Sequence, residues 1–122
     1  MQLLVAMTRG PRVRQEDALM ALDRPLQEST LPATRLDGGD GPGLAVVADG
    51  MGGGQDGDWC ARRLCEMLMQ TPAAEIPQGN DIIPFLSDVQ TRLSGEAVTS
   101  YCGTTVAGVL LAGGQATIFN VG

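Results

Sequence analysis

The sequence predicts an α+β fold in which helices cover one face of an antiparallel β-sheet. Two segments with helical periodicity follow one another between strand-like segments, which gives the order β–β–β–α–α–β–β. The last two strand-like segments are separated only by Ala112-Gly113-Gly114, and strands joined so closely must pair antiparallel. With 122 residues, 43% hydrophobic and 3% aromatic, the chain can form one domain with an aliphatic core.

The N-terminal third is predicted to hold two strands and a long connection. Residues 3–7 form an apolar run that ends in a Gly-Pro turn signal, and residues 12–21 have a second half that suits a strand. Residues 23–42 are polar and contain Pro25 and Pro32, so we expect mostly loop, serving as a hairpin connection. The Asp/Gly run at 37–43 lacks the ligand alternation and closing Glu of an EF-hand, which favours a turn over a calcium site.

Two helices are predicted in the middle of the chain. The first is capped by Asp56 or Asp58, runs to about residue 70 and is ended by Pro72. Its apolar stripe is Cys60, Leu64, Met67 and Leu68. The second starts near residue 80 or 81, ends near Gly95 and tolerates Pro84 in its first turn. Its apolar positions are Ile82, Leu86, Val89 and Leu93. The segments 102–111 and 115–121 then form a β-hairpin.

The stretch from residue 44 to 58 is the candidate centre of the molecule. An unbroken apolar run, read as a strand buried on both faces, leads into Asp49, and a glycine-rich turn follows it. Ionised carboxylates are seldom buried unless they are paired or bind a cation, and glycines let the backbone approach a ligand. The stretch predicts a hard-cation site built from the Asp49 carboxylate and a nearby backbone carbonyl. The alternative is a strand-to-helix turn in which Asp49 makes a local cap.

A dense charged segment at residues 12–17 holds two arginines and two acids. It suits either a solvated surface or an arginine that clamps phosphate beside carboxylates that hold metal-bound water.

Composition excludes several classes of site. The chain has no lysine and no histidine, so Walker-type phosphate loops, Schiff-base lysines, Ser-His or Cys-His catalysis and His-ligated zinc are ruled out. A net charge of −6 disfavours binding to nucleic acid or to an anionic membrane. Three cysteines, with no C-x-x-C spacing and no secretory signal, predict reduced thiols in a cytoplasmic protein, with Cys60 and Cys65 packing as small apolar residues.

Three segments together resemble the metal-dependent serine/threonine phosphatases of the PPM (PP2C-like) family, in particular its bacterial branch. RVRQEDA at residues 12–18 resembles the family's R-x-x-N-E-D-A segment, with Gln15 in place of Asn. VADGMGG at 47–53 matches the family's metal motif and is the most specific of the three, and GTT at 103–105 resembles its Gly-Thr-Thr strand. IFNVG at 118–122 resembles the approach to its Gly-Asp-Ser-Arg motif.

The resemblance implies a site with two Mn²⁺ or Mg²⁺ ions. Asp49 would bridge the ions, the Gly50 carbonyl would ligate one, and Glu16 and Asp17 would hold metal-bound waters or support the site. Arg12 would bind the substrate phosphate. The implied reaction is hydrolysis of phosphoserine and phosphothreonine by a metal-activated water, in opposition to a serine/threonine kinase.

The resemblance spans residues 1–122 but covers roughly the N-terminal half of a PP2C-like αββα sandwich, and the family's other metal aspartates lie in the second half. The chain stops directly after a strong strand-like segment, which suggests part of a larger fold, cut short or completed by another chain. We therefore expect weak metal binding, and slow hydrolysis or none, from this chain alone. The alternative hypothesis is a non-catalytic phosphatase-like module that binds a phosphoprotein or partner through its open sheet edge.

Overall fold

The computed structural model describes residues 1–51, 56–97 and 102–122. Five strands come first in the chain, two helices follow, and three strands end it. The strands are β1 (Gln2–Thr8), β2 (Asp17–Ala21), β3 (Arg24–Leu26), β4 (Thr30–Asp37), β5 (Gly43–Met51), β6 (Gly103–Thr104), β7 (Val106–Ala112) and β8 (Gln115–Val121). The helices are α1 (Gly57–Met69) and α2 (Ile82–Glu96), the latter preceded by a 3₁₀ turn at Gly79–Asp81.

The strands form one large sheet and one small one. The large sheet has the order β3-β2-β5-β7-β8, and the short β6 pairs with β5 beyond the end of β7. The small sheet is a ribbon of β1 and β4. Every strand pair described is antiparallel, so the predicted α+β class with antiparallel sheets and helices is confirmed.

The two faces of the large sheet have different coverings. Side chains at alternate positions of a strand point to the same face. On one face, the side chains of the sheet pack against α1 and α2 and form the main core with them. The sheet residues of this core include Met20, Leu44, Val46, Ala48, Leu110 and Phe119. On the opposite face, Leu19 and Ala21 of β2 pack with Leu36 of the β1–β4 ribbon. This second face is therefore covered above β2 and open above β5, where Val47 is 58% exposed.

Two predictions about the strands were wrong. Residues 23–42 hold the strands β3 and β4 instead of mostly loop. Their prolines, Pro25 and Pro32, lie in an edge strand and in a two-stranded ribbon, where a missing N–H is tolerated. The strand β5 is not buried on both faces, because its burial alternates from Val46 to Met51. A strand with one solvated face is the usual case in an antiparallel sheet.

The helices lie close to their predicted positions. The predicted stripe of α1 is fully buried, and Ile82, Val89 and Leu93 of α2 are buried as well. Asp56 occupies the N-cap position of α1 without making a side-chain capping bond. The carboxylate of Asp58 instead accepts from the backbone N–H of Trp59, at 2.8 Å. The prediction of a side-chain cap is therefore wrong, although the helix starts where the sequence indicates.

Two cross-links tie α1 to its surroundings. The guanidinium of Arg63 donates two hydrogen bonds to the carboxylate of Glu96, at 2.6 and 3.0 Å, which joins the two helices. A disulfide bond joins Cys60 of α1 to Cys102, next to β6. The prediction of three reduced thiols is therefore wrong, since residues far apart in sequence meet where α1 crosses the sheet. Among the described helices, none is long and apolar enough to cross a bilayer.

Candidate metal centre

The candidate site is organised by the pairing of Asp17 with Asp49. These two residues are direct partners across the antiparallel strands β2 and β5. Opposite residues of such a pair share one face, with Cβ atoms about 4.5–5.5 Å apart. The face is the one opposite the helices, because Asp49 follows the exposed Val47 at the spacing of two that keeps a side chain on the same side. The two carboxylates therefore lie side by side next to the open part of the sheet.

The pKa of Asp17 shows the proximity of the charges around it. Partial burial raises this pKa above its ordinary value of 3.8, and the charge of Asp49 and a hydrogen bond between the two side chains raise it further. The charge of Arg12 acts in the opposite direction, and that of Glu16 adds a smaller increase. One electrostatic cluster thus contains Arg12, Glu16, Asp17 and Asp49, and within it the charges of Asp17 and Asp49 repel each other.

The backbone of Asp49 is held by the Gly-Thr-Thr segment. The N–H of Thr105 donates to the carbonyl of Asp49 at 2.9 Å, and the Thr104 hydroxyl donates to the same carbonyl at 3.0 Å. The N–H of Asp49 in turn donates to the Thr105 hydroxyl at 3.3 Å. These three bonds fix the position of Asp49 at the end of the sheet. Sequence reasoning quoted both threonines only for their resemblance to a family motif and did not find this anchoring role.

The loop from residue 9 to 16 carries the candidate phosphate ligand. Arg12 is highly exposed, and its Nη1 lies 3.3 Å from Oε2 of Glu16. The side-chain amide of Gln15 donates to the carbonyl of Glu28 at 3.1 Å, which ties the loop to the segment after β3. Arg12 is thus placed near the acidic pair by a loop with an anchored end, while its own side chain faces solvent.

The backbone at Gly50 is enclosed by its neighbours. Its N–H donates to the carbonyl of Glu16 at 3.2 Å. A Cβ at this position would lie 2.1 Å from the carbonyl oxygen of Gly57 and 2.6 Å from that of Glu16. Only glycine lets β5 approach the start of α1 so closely. Gly57, the first residue of α1, allows the same close approach from the side of the helix, because a Cβ there would lie 3.1 Å from the carbonyl of Gly50. The sequence analysis missed this role, although a glycine at the start of a predicted helix was a signal for it.

The donor set suits a hard cation and is small. Carboxylate and carbonyl oxygens are the ligands that Mg²⁺ and Mn²⁺ prefer. The paired Asp17 and Asp49 offer such oxygens, and a cation would relieve the repulsion between them. Across residues 1–51, 56–97 and 102–122, no group of three or more His, Cys, Asp or Glu side chains is arranged to hold a metal. The predicted ligand role of the Gly50 carbonyl stays a prediction, and the glycine turn at 52–54 lies outside the described residues.

The remaining thiol offers no alternative nucleophile. Cys65 is the free cysteine of the described residues, and it is fully buried in α1. Burial raises the pKa of this thiol to about 12, with a smaller contribution from Glu66. Because the thiolate is the reactive form, Cys65 is inert at neutral pH. Its predicted role as a small apolar core residue is confirmed.

Comparisons of the chain with models of protein families, with curated proteins and with solved structures gave no match. The geometry of the site therefore has to support a function by itself.

Proposed function

We propose that this chain carries the N-terminal half-site of a metal-dependent protein serine/threonine phosphatase of the PPM (PP2C-like) type. The observation that carries the proposal is the direct cross-strand pairing of Asp17 with Asp49. Two like charges opposite each other destabilise a sheet, so their placement on one face calls for a function. Paired carboxylates of this kind are suitable ligands for a divalent cation.

In this proposal, Asp49 is the central metal ligand and Asp17 supports the same ion from the neighbouring strand. The Gly50 carbonyl and Glu16 would complete the set of residues that hold the cation, Glu16 by holding a water on it. Mn²⁺ or Mg²⁺ held by these residues would supply a water of lowered pKa for attack on phosphorus. The threonine anchors matter because a ligand must keep its position when the cation binds.

Arg12 is the proposed ligand of the substrate phosphate. A guanidinium can donate two parallel hydrogen bonds to phosphate oxygens. Its present partner, Glu16, forms an exposed ion pair with it, and pairs of this kind are worth about 0–1 kcal/mol. A phosphate monoester can therefore displace Glu16 at little cost. The substrate is a phosphoserine or phosphothreonine of a protein, and the opposing enzyme is a serine/threonine kinase. Cytoplasmic location is part of the proposal, and it requires the Cys60–Cys102 disulfide to persist in a reducing compartment.

A second candidate is a non-catalytic phosphatase-like module. It is favoured by the small donor set, because the described residues hold no group of three metal-ligating side chains. Such a module would use Arg12 and the open sheet to bind a phosphoprotein without hydrolysing it.

The test uses Mn²⁺ as the probe. Thermal unfolding is followed with and without Mn²⁺ for the natural chain, for Asp49→Asn and for Asp88→Asn, which removes an exposed carboxylate on α2. At a concentration 100 times its Kd, a ligand that binds only the folded state stabilises it by about 2.7 kcal/mol. We expect this stabilisation for the natural chain and Asp88→Asn and its loss in Asp49→Asn.

Hydrolysis of p-nitrophenyl phosphate in Mn²⁺ then separates the two candidates. Turnover that is lost in Asp49→Asn supports the enzyme. Stabilisation by Mn²⁺ with no turnover supports the binding module. If Mn²⁺ stabilises Asp49→Asn as much as it does the natural chain, the proposed metal site is wrong.

A further inference from the structure

The strand β6, which carries one of the threonines that hold Asp49, is very short. It has two residues and pairs with β5 through two residue pairs, Gly50 with Thr104 and Met51 with Gly103. Ordering each residue costs conformational entropy, and glycine loses more freedom than any other residue. Two residue pairs offset little more than that cost. A further tie to a rigid element therefore decides how firmly β6 is held.

The disulfide bond supplies this tie. Cys102 directly precedes β6 and is bonded to Cys60 of α1. Cys60 is 1% exposed and belongs to the main core, so it belongs to the most firmly packed part of the helix. Thr104 lies only two residues after Cys102, and two residues of chain span at most about 7 Å. The bond thus confines Thr104 to a small region beside α1.

The end of β5 is held by α1 from two sides. On one side, Gly50 packs directly against Gly57 at the start of the helix. On the other side, the helix acts through the disulfide and the two threonines. The N–H of Thr105 and the hydroxyl of Thr104 both donate to the carbonyl of Asp49, at 2.9 and 3.0 Å. Of these links between α1 and the end of β5, the disulfide is the one that a reductant can open.

The two sulfurs of the bond differ in exposure, and the third cysteine takes no part in exchange. Cys60 is buried, whereas Cys102 is only partly buried. An external thiolate therefore reaches the sulfur of Cys102 more easily. Burial raises the pKa of the Cys65 thiol to about 12, so at neutral pH this thiol does not attack the bond. The pair Cys60 and Cys102 consequently opens and closes as one unit.

We propose that the Cys60–Cys102 disulfide is a redox switch, which holds the backbone of Asp49 in place when it is oxidised and releases it when a dithiol reduces it. A thiolate of the dithiol attacks the sulfur of Cys102, the S–S bond breaks, and Cys60 leaves as a thiolate. The second thiol of the reductant then displaces Cys102. Two electrons and two protons pass from the dithiol to the two cysteines, and the dithiol becomes a disulfide. A disulfide reagent reverses these steps.

The effect of the switch on metal binding rests on the proposed function, in which Asp49 is the central ligand. Groups that orient a metal ligand typically contribute roughly 10–100-fold to metal affinity. We expect reduction to weaken Mn²⁺ binding about 10-fold, at the lower end of this range, because the contact between Gly50 and Gly57 remains. The oxidised chain is the form that binds the cation more tightly.

Amide order parameters test the switch without any metal. They are measured by NMR for the whole oxidised chain and after reduction by dithiothreitol, and circular dichroism shows whether both forms are folded. On reduction, we expect the order parameters of Thr104 and Thr105 to fall from about 0.85 to below about 0.6, while Val46, earlier in β5, stays near about 0.85.

A disulfide that serves only global stability would leave all three order parameters unchanged, because they report fast local motion within the folded state. That result overturns the proposal. A reduced chain that is unfolded at every temperature also overturns it, since the bond then holds the whole fold and not the end of β5.

Titration with Mn²⁺ tests the effect on the metal site, after dithiothreitol has been removed without oxygen. The double variant Cys60→Ala/Cys102→Ala is expected to bind Mn²⁺ with the affinity of the reduced natural chain, with or without prior reduction. The matched control is Cys65→Ala, which removes the cysteine outside the disulfide and should keep the ~10-fold difference.

Two outcomes separate this proposal from the proposed function. Measurable Mn²⁺ binding of equal affinity in the oxidised and reduced natural chains overturns the switch and leaves the metal site intact. Order parameters that change as expected, in a chain that binds no Mn²⁺ in either form, support the switch and contradict the metal site.

Discussion

The replacement of Gly50 by alanine is the sharpest test of the packing that positions the candidate site. The backbone of Gly50 has no positive φ, so the conformation itself suits alanine. The obstacle is space. The added methyl carbon would lie 2.1 Å from the carbonyl oxygen of Gly57, 2.5 Å from its carbonyl carbon and 2.6 Å from the carbonyl oxygen of Glu16. These are backbone atoms on two sides, so no side chain can rotate away to make room.

The expected loss lies at the upper end of the range for overpacking. Extra methyl groups in a packed interior cost about 1–3 kcal/mol, and more where the surroundings cannot move. We expect Gly50→Ala to lower the free energy of unfolding by about 3 kcal/mol and the melting temperature by roughly 10 °C. That is a large share of the 5–15 kcal/mol typical of a domain.

Urea denaturation followed by the fluorescence of Trp59, the single tryptophan, measures this loss. Two alanine variants serve as controls. Gly95 lies in α2 with open space around it, so Gly95→Ala is expected to stabilise the protein by about 0.5–1 kcal/mol through helix propensity. At Gly57 the nearest atoms would be 3.1 Å from the added carbon, so the loss should be smaller than at Gly50. A Gly50→Ala variant as stable as the natural chain would refute the close approach of β5 and α1.

Two further predictions concern the acidic pair and the disulfide. The raised pKa of Asp17 means that the folded state binds the carboxyl proton of Asp17 more tightly than the unfolded state does. The protonated Asp17 therefore stabilises the fold below about pH 3.8, and this stabilisation is lost as the pH rises through the pKa of the folded state. In metal-free buffer at pH 7, Asp17→Asn is therefore expected to raise the free energy of unfolding by about 0.2–1 kcal/mol, the usual cost of like charges on opposite residues. Urea titrations of both proteins at pH 7 and at pH 3 measure this gain. An equal gain in the free energy of unfolding at the two pH values would contradict the prediction. Cys102→Ser opens a loop with a sequence separation of 42, which is expected to cost about 4 kcal/mol in denaturant. Alkylation of the unfolded, unreduced natural chain should modify Cys65 alone, and modification of all three cysteines would show that the disulfide is absent.

Local sequence signals predicted the elements whose signals are strong. The helical stripe of α1, with Leu64, Met67 and Leu68, has the 3.6-residue period that only one face of a helix satisfies. The Gly113-Gly114 turn predicted the final hairpin, since two adjacent residues with positive φ join strands at the native twist. The strand that leads to Asp49 was also predictable, because its unbroken run of apolar residues suits a strand.

Signals that depend on the surroundings were misread. Pro25 and Pro32 indicated loop, because a proline is incompatible with a central strand; their positions in an edge strand and a ribbon were invisible before the sheet order was known. The run from Leu44 to Ala48 indicated burial on both faces, because β-branched and small residues suit either environment. Whether a second layer covers β5 is a property of the whole fold.

The sequence by itself determined the fold class, the two helices, the final hairpin and the acidic residues that carry the candidate chemistry, because each depends on a short stretch of chain. Only the tertiary structure decided that Asp17 lies opposite Asp49, that Thr104 and Thr105 hold the Asp49 backbone, and that Cys60 meets Cys102. Each of these contacts joins residues between 32 and 56 positions apart in the sequence. Which residues meet over such distances depends on strand register and on packing against α1, and local conformational preferences do not decide it.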